Sequence, residues 1–434
     1  MTTAGNLDAR RLAWWHTLGP RGRRAFVGSA GGWALDSYDV QILPLALTAL
    51  SAALGITAFQ SGLLNTVTLA VSALGGILAG MLADRIGRTR TLMLTVAVYA
   101  TFTVLCGFAP NYETLLVFRA LQGLGFGGEW AAGAALIAEY AQSRYRGRVL
   151  AYVQSAWSIG WGVALLAYTL VFGLLSPELA WRVLFWTGAL PALLLLYLRR
   201  NVVDAPIAER NRTRSDHATG RTGGRGTLRR AAGLFRGGLA PTTLLSCLLA
   251  TGAQGGYYTL ATWLPSYLQD ARGLAMTGIG GYLLFVIVGS FAGYVSAGYA
   301  ADLLGRKWTF TLFAAASGSL LLTYTRIPAD SSDLLVMLLG LPLGFFASGI
   351  FSGFGAYLAE LYPTALRGTG QGFCYNVGRG IGSAFPAVVG AIAMQYGLGV
   401  AMGAGTGAYA LAVIALLGLP ETRGRELAEL DPAR

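Results

Sequence analysis

The sequence predicts an all-α membrane protein whose twelve transmembrane helices form two pseudo-symmetric six-helix bundles. Three observations support this fold class. Of the 434 residues, 54% are apolar and only 12% are charged, whereas about 25% are charged in a typical soluble domain. Apolar runs of about 20 residues, the length that crosses a hydrocarbon core about 30 Å thick, recur along the chain. A short pattern of glycine and charged residues also occurs twice, about half the chain apart.

The apolar runs predict twelve membrane-crossing helices, numbered 1 to 12 in chain order. Turns after odd-numbered helices carry few basic residues, whereas turns after even-numbered helices carry many. Because basic loops stay on the cytoplasmic side of a membrane, both termini are expected in the cytoplasm. Scarce lysine beside abundant arginine favours a GC-rich bacterial genome, and hence the plasma membrane. The predicted spans are 25–50, 61–83, 91–109, 114–140, 149–175, 181–199, 240–268, 276–301, 308–325, 333–360, 369–395 and 398–419.

These spans divide the chain into a cytoplasmic N-terminal segment (1–24), a first bundle (25–199), a linker (200–238), a second bundle (239–419) and a cytoplasmic tail (420–434). The linker is rich in Arg, Gly and Thr and cannot bury enough apolar surface to fold alone. A regulatory role for it is the open alternative. The net charge of +12 comes from arginine clusters between apolar runs. Such clusters face anionic lipid, so no nucleic-acid partner is expected.

A charged turn is repeated in the two halves. Its glycines suit a tight reversal at Gly87 and close helix packing at Gly80. Its charges can form a clasp that closes one end of the bundles, and the alternative is that they only anchor the turn in the cytoplasm. The repeated gating candidates are Gly80, Asp84, Arg85, Gly87 and Arg88 with Asp302, Gly305 and Arg306, offset by 302 − 84 = 218 residues, and Glu139 and Arg146 with Glu360 and Arg367, offset by 360 − 139 = 221. Such duplication is typical of alternating access.

Ionisable side chains inside the apolar spans are the candidates for proton coupling, because each costs several kcal/mol in hydrocarbon unless it faces water or a partner. Asp36 and Asp39 lie three residues apart in predicted helix 1 and share one helix face. Two neighbouring carboxylates suit proton binding and release, and a fixed salt bridge is the alternative. Predicted helix 4 contains Arg119 and Glu129. Arg119 falls at a depth similar to that of Asp39, so these two residues can pair.

A buried cation in predicted helix 11 is the main candidate for binding substrate. Arg379 lies between Gly378 and Gly380, which leave room around it. A guanidinium can hold a carboxylate at two points, and the alternative is that Arg379 pairs with a protein acid such as Glu129. Polar and aromatic residues of predicted helices 5, 7 and 11 are expected to line the same cavity: Gln154, Trp157, Gln254, Tyr258, Tyr375 and Asn376.

Taken together, the charged turns resemble those of the major facilitator superfamily, and the resemblance covers essentially the whole chain. The tail Pro420-Glu-Thr-Arg-Gly-Arg425 is similar to that of sugar porters and related proton symporters. The run from Arg119 to Glu129 resembles the metabolite:proton symporters, and the run from Tyr375 to Arg379 resembles the sialate and aromatic acid symporters. Carried over, the resemblance implies that Asp39 is the proton site and Arg119 its partner, while the additional Asp36 leaves this assignment open.

The expected function is secondary active transport: proton-coupled uptake of a small organic acid by alternating access of the two bundles. A sugar or polyol porter, proton-coupled or facilitative, is the alternative, favoured by the tail. The sequence contains no metal-ligand cluster and no nucleophile or phosphate-loop motif, so neither enzyme activity nor a cofactor is expected. The expected partners are an anionic small molecule, the coupling proton and the lipid bilayer, with the protein acting as a monomer.

Overall fold

The computed structural model describes residues 13–140, 146–192, 197, 200, 232–236, 238–275, 278–328, 330–363 and 366–423. Within these ranges it describes a few residues by their backbone alone. Apart from residues 200, 232–236 and 238, the predicted linker lies outside the described residues, as does most of the predicted tail.

In its described residues the first bundle contains six helices, α1 to α6, preceded by a short helix at Ala13–Thr17. A proline at the start of α1 suits a helix N-terminus, because proline lacks the N–H group that would be unpaired there. The helices are α1 (Gly19–Leu54), α2 (Ala58–Ile86), α3 (Arg88–Cys106), α4 (Tyr112–Tyr140), α5 (Arg146–Leu174) and α6 (Pro177–Trp186), the last continued by a 3₁₀ turn at Thr187–Ala189.

The second bundle repeats this order, but three of its helices are interrupted. The helices are α7 (Ala240–Ser266, continued by a π-helical turn at Tyr267–Ala271), α8 (Ile279–Leu304), α9 (Arg306–Thr325), α10 (Asp333–Gly349 and Phe351–Glu360), α11 (Arg367–Gly382 and Phe385–Tyr396) and α12 (Leu398–Ala404 and Thr406–Gly418). These correspond to the twelve predicted helices, and the described part of the chain has eight segments long and apolar enough to cross a membrane.

The predicted boundaries were less accurate than the order of the helices. α1 begins at Gly19, six residues before the predicted start, because the arginine-rich stretch ahead of the apolar run is also helical. After Trp186, α6 is interrupted by the 3₁₀ turn, whereas the prediction had an uninterrupted helix to residue 199; residues 193–196, 198 and 199 lie outside the described residues. The breaks in α10, α11 and α12 were also not predicted. Hydropathy places apolar segments but does not report a local change in backbone dihedrals.

Small residues allow equivalent helices of the two bundles to pack closely. A methyl group added at Gly127 of α4 would overlap the carbonyl group of Ser72 in α2. In the second bundle, a methyl group at Gly344 of α10 would overlap the carbonyl group of Val286 in α8. The α2–α4 and α8–α10 pairs therefore depend on the same close backbone approach, which is common between membrane helices.

The bundles meet tightly at the end where α1 finishes and α2 begins, here called the α1–α2 end. A methyl group at Gly62 would overlap the backbone of Pro386 in α11, and the Thr48 hydroxyl donates to that of Ser266 over 3.3 Å. At the opposite, α2–α3 end, an added methyl group at Gly80, Gly368 or Gly372 would have no neighbour within 4 Å among the described residues. The bundles are therefore closed at the α1–α2 end and further apart around α2 and α11 at the other.

Candidate functional site

A cavity lies between the two bundles and is walled mainly by aromatic side chains. Its space, including the part that opens to solvent, is about 570 Å³. Both bundles contribute aromatic side chains: Trp33, Phe126 and Trp157 from the first, and Tyr257, Tyr258, Tyr294, Phe351 and Tyr375 from the second. Flat, mostly apolar walls of this kind suit a small planar ligand.

The cavity is held together across the bundles by a hydrogen bond between two of its walls. The indole Nε1 of Trp157 in α5 donates to the hydroxyl oxygen of Tyr257 in α7 over 2.7 Å. Trp157 also packs against Trp33 of α1, with ring centroids 4.8 Å apart. These contacts fix the orientation of the aromatic walls in the conformation that the structure shows.

Arg379 supplies a positive charge to this cavity. Its side chain is only 2% exposed, and the guanidinium carbon lies 5.4 Å from the centroid of Phe126 and 5.2 Å from that of Tyr375. Its Nε atom is buried and has no hydrogen-bond partner among the described residues. Arg379 also interacts electrostatically with Asp36 of the other bundle. The arrangement can bind a carboxylate, because a guanidinium donates hydrogen bonds in a planar fork.

Asp39 lies behind the cavity wall in a buried polar cluster. Its Oδ2 atom accepts hydrogen bonds from Thr103 Oγ1 over 2.7 Å and from Gln122 Nε2 over 2.6 Å. Gln122 Oε1 in turn accepts from Arg119 Nη1 over 2.6 Å. The predicted pair therefore shares one cluster, but the amide of Gln122 lies between the carboxylate and the guanidinium. Asp39 Oδ1 is buried without a hydrogen-bond partner in the described part of the chain.

The two aspartates of α1 have different partners, although the sequence places them on one helix face. Asp39 contacts α3 and α4 within its own bundle, whereas Asp36 interacts electrostatically with Arg379 of the second bundle. Both are almost fully buried. The backbone of Glu129 continues α4, but its side chain lies outside the described residues.

Not all of the predicted substrate-binding residues line the cavity. Those that do are Arg379, Tyr375, Gln154, Trp157 and Tyr258. Gln254 lies behind them: its Oε1 accepts from the Tyr258 hydroxyl over 3.0 Å, and its Nε2 donates to the Tyr375 carbonyl over 3.0 Å. Gln254 therefore positions two cavity residues.

Asn376 does not line the cavity either. Its Nδ2 atom donates to the carbonyl of Gly372 over 2.9 Å, one turn earlier in α11. Its Oδ1 atom faces Gly76 of α2, where an added methyl carbon would lie 3.0 Å away. Asn376 follows Tyr375 directly in the sequence, so the two side chains lie on different faces of α11. The face that carries Asn376 packs against α2.

The repeated turn in the second bundle forms a network of charges and hydrogen bonds. Gly305 has a φ of +97°, and Glu421 accepts hydrogen bonds from the backbone N–H groups of Arg306 and Lys307 over 2.8 and 3.1 Å. Arg306 also forms an ion pair with Glu360, with Nε and Oε2 3.5 Å apart. The tail carboxylate thus caps the N-terminus of α9, where the helix dipole favours negative charge.

The Nε atom of Arg367 donates to the carbonyl of Ala359 over 3.0 Å, so this atom is not part of the Glu421–Arg306–Glu360 network. In the first bundle, Gly87 adopts the left-handed conformation expected for a tight reversal, with a φ of +98°. At Gly80, where the sequence predicted close helix packing, no atom of the described residues lies within 4 Å of the position that a methyl carbon would occupy. The side chains of Asp84, Arg85, Arg88, Glu139, Arg146 and Asp302 lie outside the described residues.

Several polar residues of the site were not predicted. Thr103, Gln122 and Asn65 surround the Asp39–Arg119 cluster, and Gln41 lines the cavity. One signal was available for Gln122, which follows Arg119 by three residues and so shares its helix face. Thr103 and Asn65 are single polar residues within apolar helices, and their proximity to Arg119 depends on tertiary packing.

Comparisons with known proteins agree with this fold. The family model described as "Major Facilitator Superfamily" matches residues 30–297, and that described as "Sugar (and other) transporter" matches residues 231–433. The chain belongs to the major facilitator superfamily and is a multi-pass membrane protein.

Named relatives are similar over most of their length. A probable 4-methylmuconolactone transporter of Cupriavidus pinatubonensis is 40% identical over 97% of this chain and 96% of its own. The cis,cis-muconate transport protein of Acinetobacter baylyi is 31% identical over 85% and 88%. Among solved structures, the inward-open xylose transporter XylE from E. coli has a TM-score of 0.70 and 19% identity, covering 93% of this chain and 98% of that one. At this identity the likeness shows the fold alone.

Proposed function

We propose that this protein is a secondary active transporter that couples the inward movement of protons to the uptake of a small, planar organic acid. The observation that carries the proposal is the position of Arg379, a buried guanidinium in a cavity with aromatic walls. A neutral sugar could bind the amides and tyrosine hydroxyls that also line the cavity, but it would not need the Arg379 cation. Relatives named as muconolactone and muconate transporters support an acidic substrate.

Proton coupling is assigned to the Asp39 cluster. A carboxyl group that is buried next to a guanidinium, with one oxygen unpartnered among the described residues, can gain or lose a proton as its surroundings change. Protonation would remove the attraction of Asp39 for Arg119 and so change the balance between conformations of the first bundle. With the topology predicted from the basic loops, the α1–α2 end is the extracellular side, and the structure corresponds to an inward-facing state.

The test is transport into proteoliposomes of labelled muconate, which is doubly ionised above pH 6 because carboxylic acid pKa values are about 4. Its charge keeps passive permeation low, and protein-free liposomes give the background. With the membrane potential held at zero by potassium and valinomycin, an inward proton gradient should drive accumulation, and an uncoupler should abolish it. Muconate uptake that is the same with and without the gradient, and that stops at equal concentrations on the two sides, would refute coupling.

The role of Arg379 is tested with Arg379→Lys, which keeps the charge but loses the planar fork of donors. We expect weaker muconate binding, measured as an increase of about tenfold in the half-saturating concentration, roughly the loss of one hydrogen bond to a charged group. Arg326→Lys is the matched control, because Arg326 is exposed. An unchanged half-saturating concentration in Arg379→Lys would refute carboxylate binding at this residue.

A further inference from the structure

Asn65 of α2 lies at the junction of three features: the cavity, the buried charge cluster and the interface with the second bundle. It lines the cavity and is 3% exposed. Its Oδ1 atom accepts from Arg119 Nη2 over 3.4 Å, and its Nδ2 atom donates to Thr262 Oγ1 of α7 over 2.5 Å. A cationic guanidinium can only donate, which fixes the orientation of the Asn65 amide.

These contacts connect Asp39 to the second bundle through an unbroken series of hydrogen bonds. The series runs from Asp39 through Gln122 to Arg119, and then through Asn65 to Thr262. Its first three members belong to α1 and α4, whereas Thr262 belongs to α7. Because Thr262 is completely buried, the bond to it exists only while the bundles are in contact at this level.

The cross-bundle bond lies next to the closed α1–α2 end. One residue further along α2, the hydroxyl of Thr66 accepts a hydrogen bond from the backbone N–H of Ala387 over 3.3 Å. One turn earlier, Gly62 packs against the backbone of Pro386. Asn65 is therefore part of the surface that seals this end, and among these α2 contacts it is the one that also reaches Arg119.

We propose that Asn65 is a positioning residue that transmits the charge state of the Asp39–Arg119 cluster to the closed α1–α2 end. While Asp39 is ionised, Arg119 is held towards it through Gln122 and orients the Asn65 amide for its bond to Thr262. Protonation of Asp39 releases Arg119, and the bond across the bundles is lost or weakened. This inference rests on the proposed proton coupling but not on the identity of the substrate.

Other titratable groups surround the cluster. Cys106 of α3 interacts electrostatically with both Asp39 and Arg119, and Tyr38 of α1 interacts with Asp39. The Tyr38 hydroxyl also donates to Thr187. Among the described groups, Asp39 is the one in contact with Gln122 that ionises in the acidic to neutral range in its usual environment. The pH response is therefore assigned to it.

The test measures opening of the α1–α2 end directly, without substrate. Spin labels at Glu113 and Asp330, exposed residues of opposite bundles at this end, report the distance between the bundles by pulsed electron paramagnetic resonance in lipid nanodiscs. In the otherwise unchanged protein, the distance distribution should shift between pH 5 and pH 8. In Asn65→Leu, which has a similar size but no hydrogen-bonding group, this pH-dependent shift should disappear.

Thr66→Val is the matched control, because it removes a neighbouring contact of the same end without touching Arg119. It should change the resting distance but keep the pH-dependent shift, whereas Thr262→Val should lose the shift as Asn65→Leu does. A normal shift in Asn65→Leu would overturn the proposal and point instead to Asp36 and Arg379 as the link. Absence of the pH-dependent shift in the unsubstituted protein would also overturn the proposal. Failure of the proposed function would be seen in a different experiment, as absence of muconate accumulation in proteoliposomes.

Discussion

Replacing Asp39 by Asn tests the proposed coupling most directly, because it removes the ionisable group and keeps the size and one acceptor oxygen of the side chain. The amide oxygen can still accept from Thr103 and Gln122, the two bonds that Asp39 Oδ2 receives over 2.7 and 2.6 Å. The main loss is the charge that accompanies Arg119. Hydrogen bonds to charged groups contribute about 1.5–3 kcal/mol each, against about 1 kcal/mol for neutral ones. We therefore expect a folded variant with modestly reduced stability.

The effect on transport should be much larger than the effect on folding. Symport of one proton supplies about 1.4 kcal/mol per pH unit, or about tenfold accumulation. With an inward gradient of two pH units and no membrane potential, the unsubstituted protein can therefore accumulate muconate up to about a hundredfold. Because Asp39→Asn lacks the proton site, it should only bring muconate to equal concentrations on the two sides of the membrane.

The assay compares net accumulation with the exchange of labelled for unlabelled muconate at equal concentrations, which needs no proton. Exchange should stay within about threefold of the original rate, because one to two retained hydrogen bonds keep the cluster assembled. Asp36→Asn, three residues away on the same helix, is the matched variant. Normal accumulation by Asp39→Asn would refute the assignment, and its loss in Asp36→Asn alone would move the proton site to Asp36.

Three further predictions concern the rest of the protein. Gly344→Ala should destabilise the protein by about 1–3 kcal/mol, the usual cost of overpacking, because the added methyl group meets the Val286 carbonyl. Gly407→Ala should not destabilise it, because an added methyl group there has no neighbour within 4 Å among the described residues. Thermal unfolding in detergent measures both effects. Burial raises the pKa of Glu421, but hydrogen bonds from backbone N–H groups outweigh this effect and hold the pKa below its usual value. The contact between Glu421 and α9 should therefore stabilise the protein at neutral pH, and this stabilisation should disappear as the pH falls through the lowered pKa. The stability of Glu421→Gln should lack this pH dependence. The buried Gln41 Nε2 in the cavity wall has no partner among the described residues. With two planar acids of the same shape as competitors of muconate uptake, Gln41→Leu should therefore weaken competition by nicotinate, which has a ring nitrogen, more than competition by benzoate, which has none. Equal effects on both acids would contradict this.

The order of the helices could be predicted from sequence because each span is an apolar run of sufficient length, and length and hydropathy are local properties. The breaks in α10 and α12 could not be predicted, because neither is marked by a proline. The interior proline of α10, Pro342, lies within an unbroken segment, and the break falls at Ile350 instead. Neighbouring helices supply the contacts that allow membrane helices to bend or break.

The site was predictable in its charges but not in its connections. A charged Asp or Arg is conspicuous in the sequence because it lies within an apolar run, and the predicted depths in the membrane placed Asp39 and Arg119 near each other. Whether they touch depends on distances of 1–2 Å, which neither spacing nor depth resolves. The structure places the Gln122 amide between them. A neutral residue such as Asn65 gives no comparable signal, because a single amide within an apolar helix fits many environments.

The duplication explains the fold, but the differences between the halves carry the chemistry. The repeated charged turns give offsets of 218 and 221 residues (302 − 84 and 360 − 139). With either offset, the counterparts of the buried charges are uncharged: Tyr257 or Leu260 for Asp39, Met337 or Gly340 for Arg119, and Trp161 or Ser158 for Arg379. The proposed proton site therefore exists only in the first bundle and the proposed substrate cation only in the second. A proton and a substrate bound to separate bundles can influence each other only through contacts between the bundles. The Asn65–Thr262 bond and the electrostatic interaction between Asp36 and Arg379 both cross between the bundles. Because Arg379 is also the proposed substrate cation, substitution of Thr262 is the change that should alter coupling more than binding.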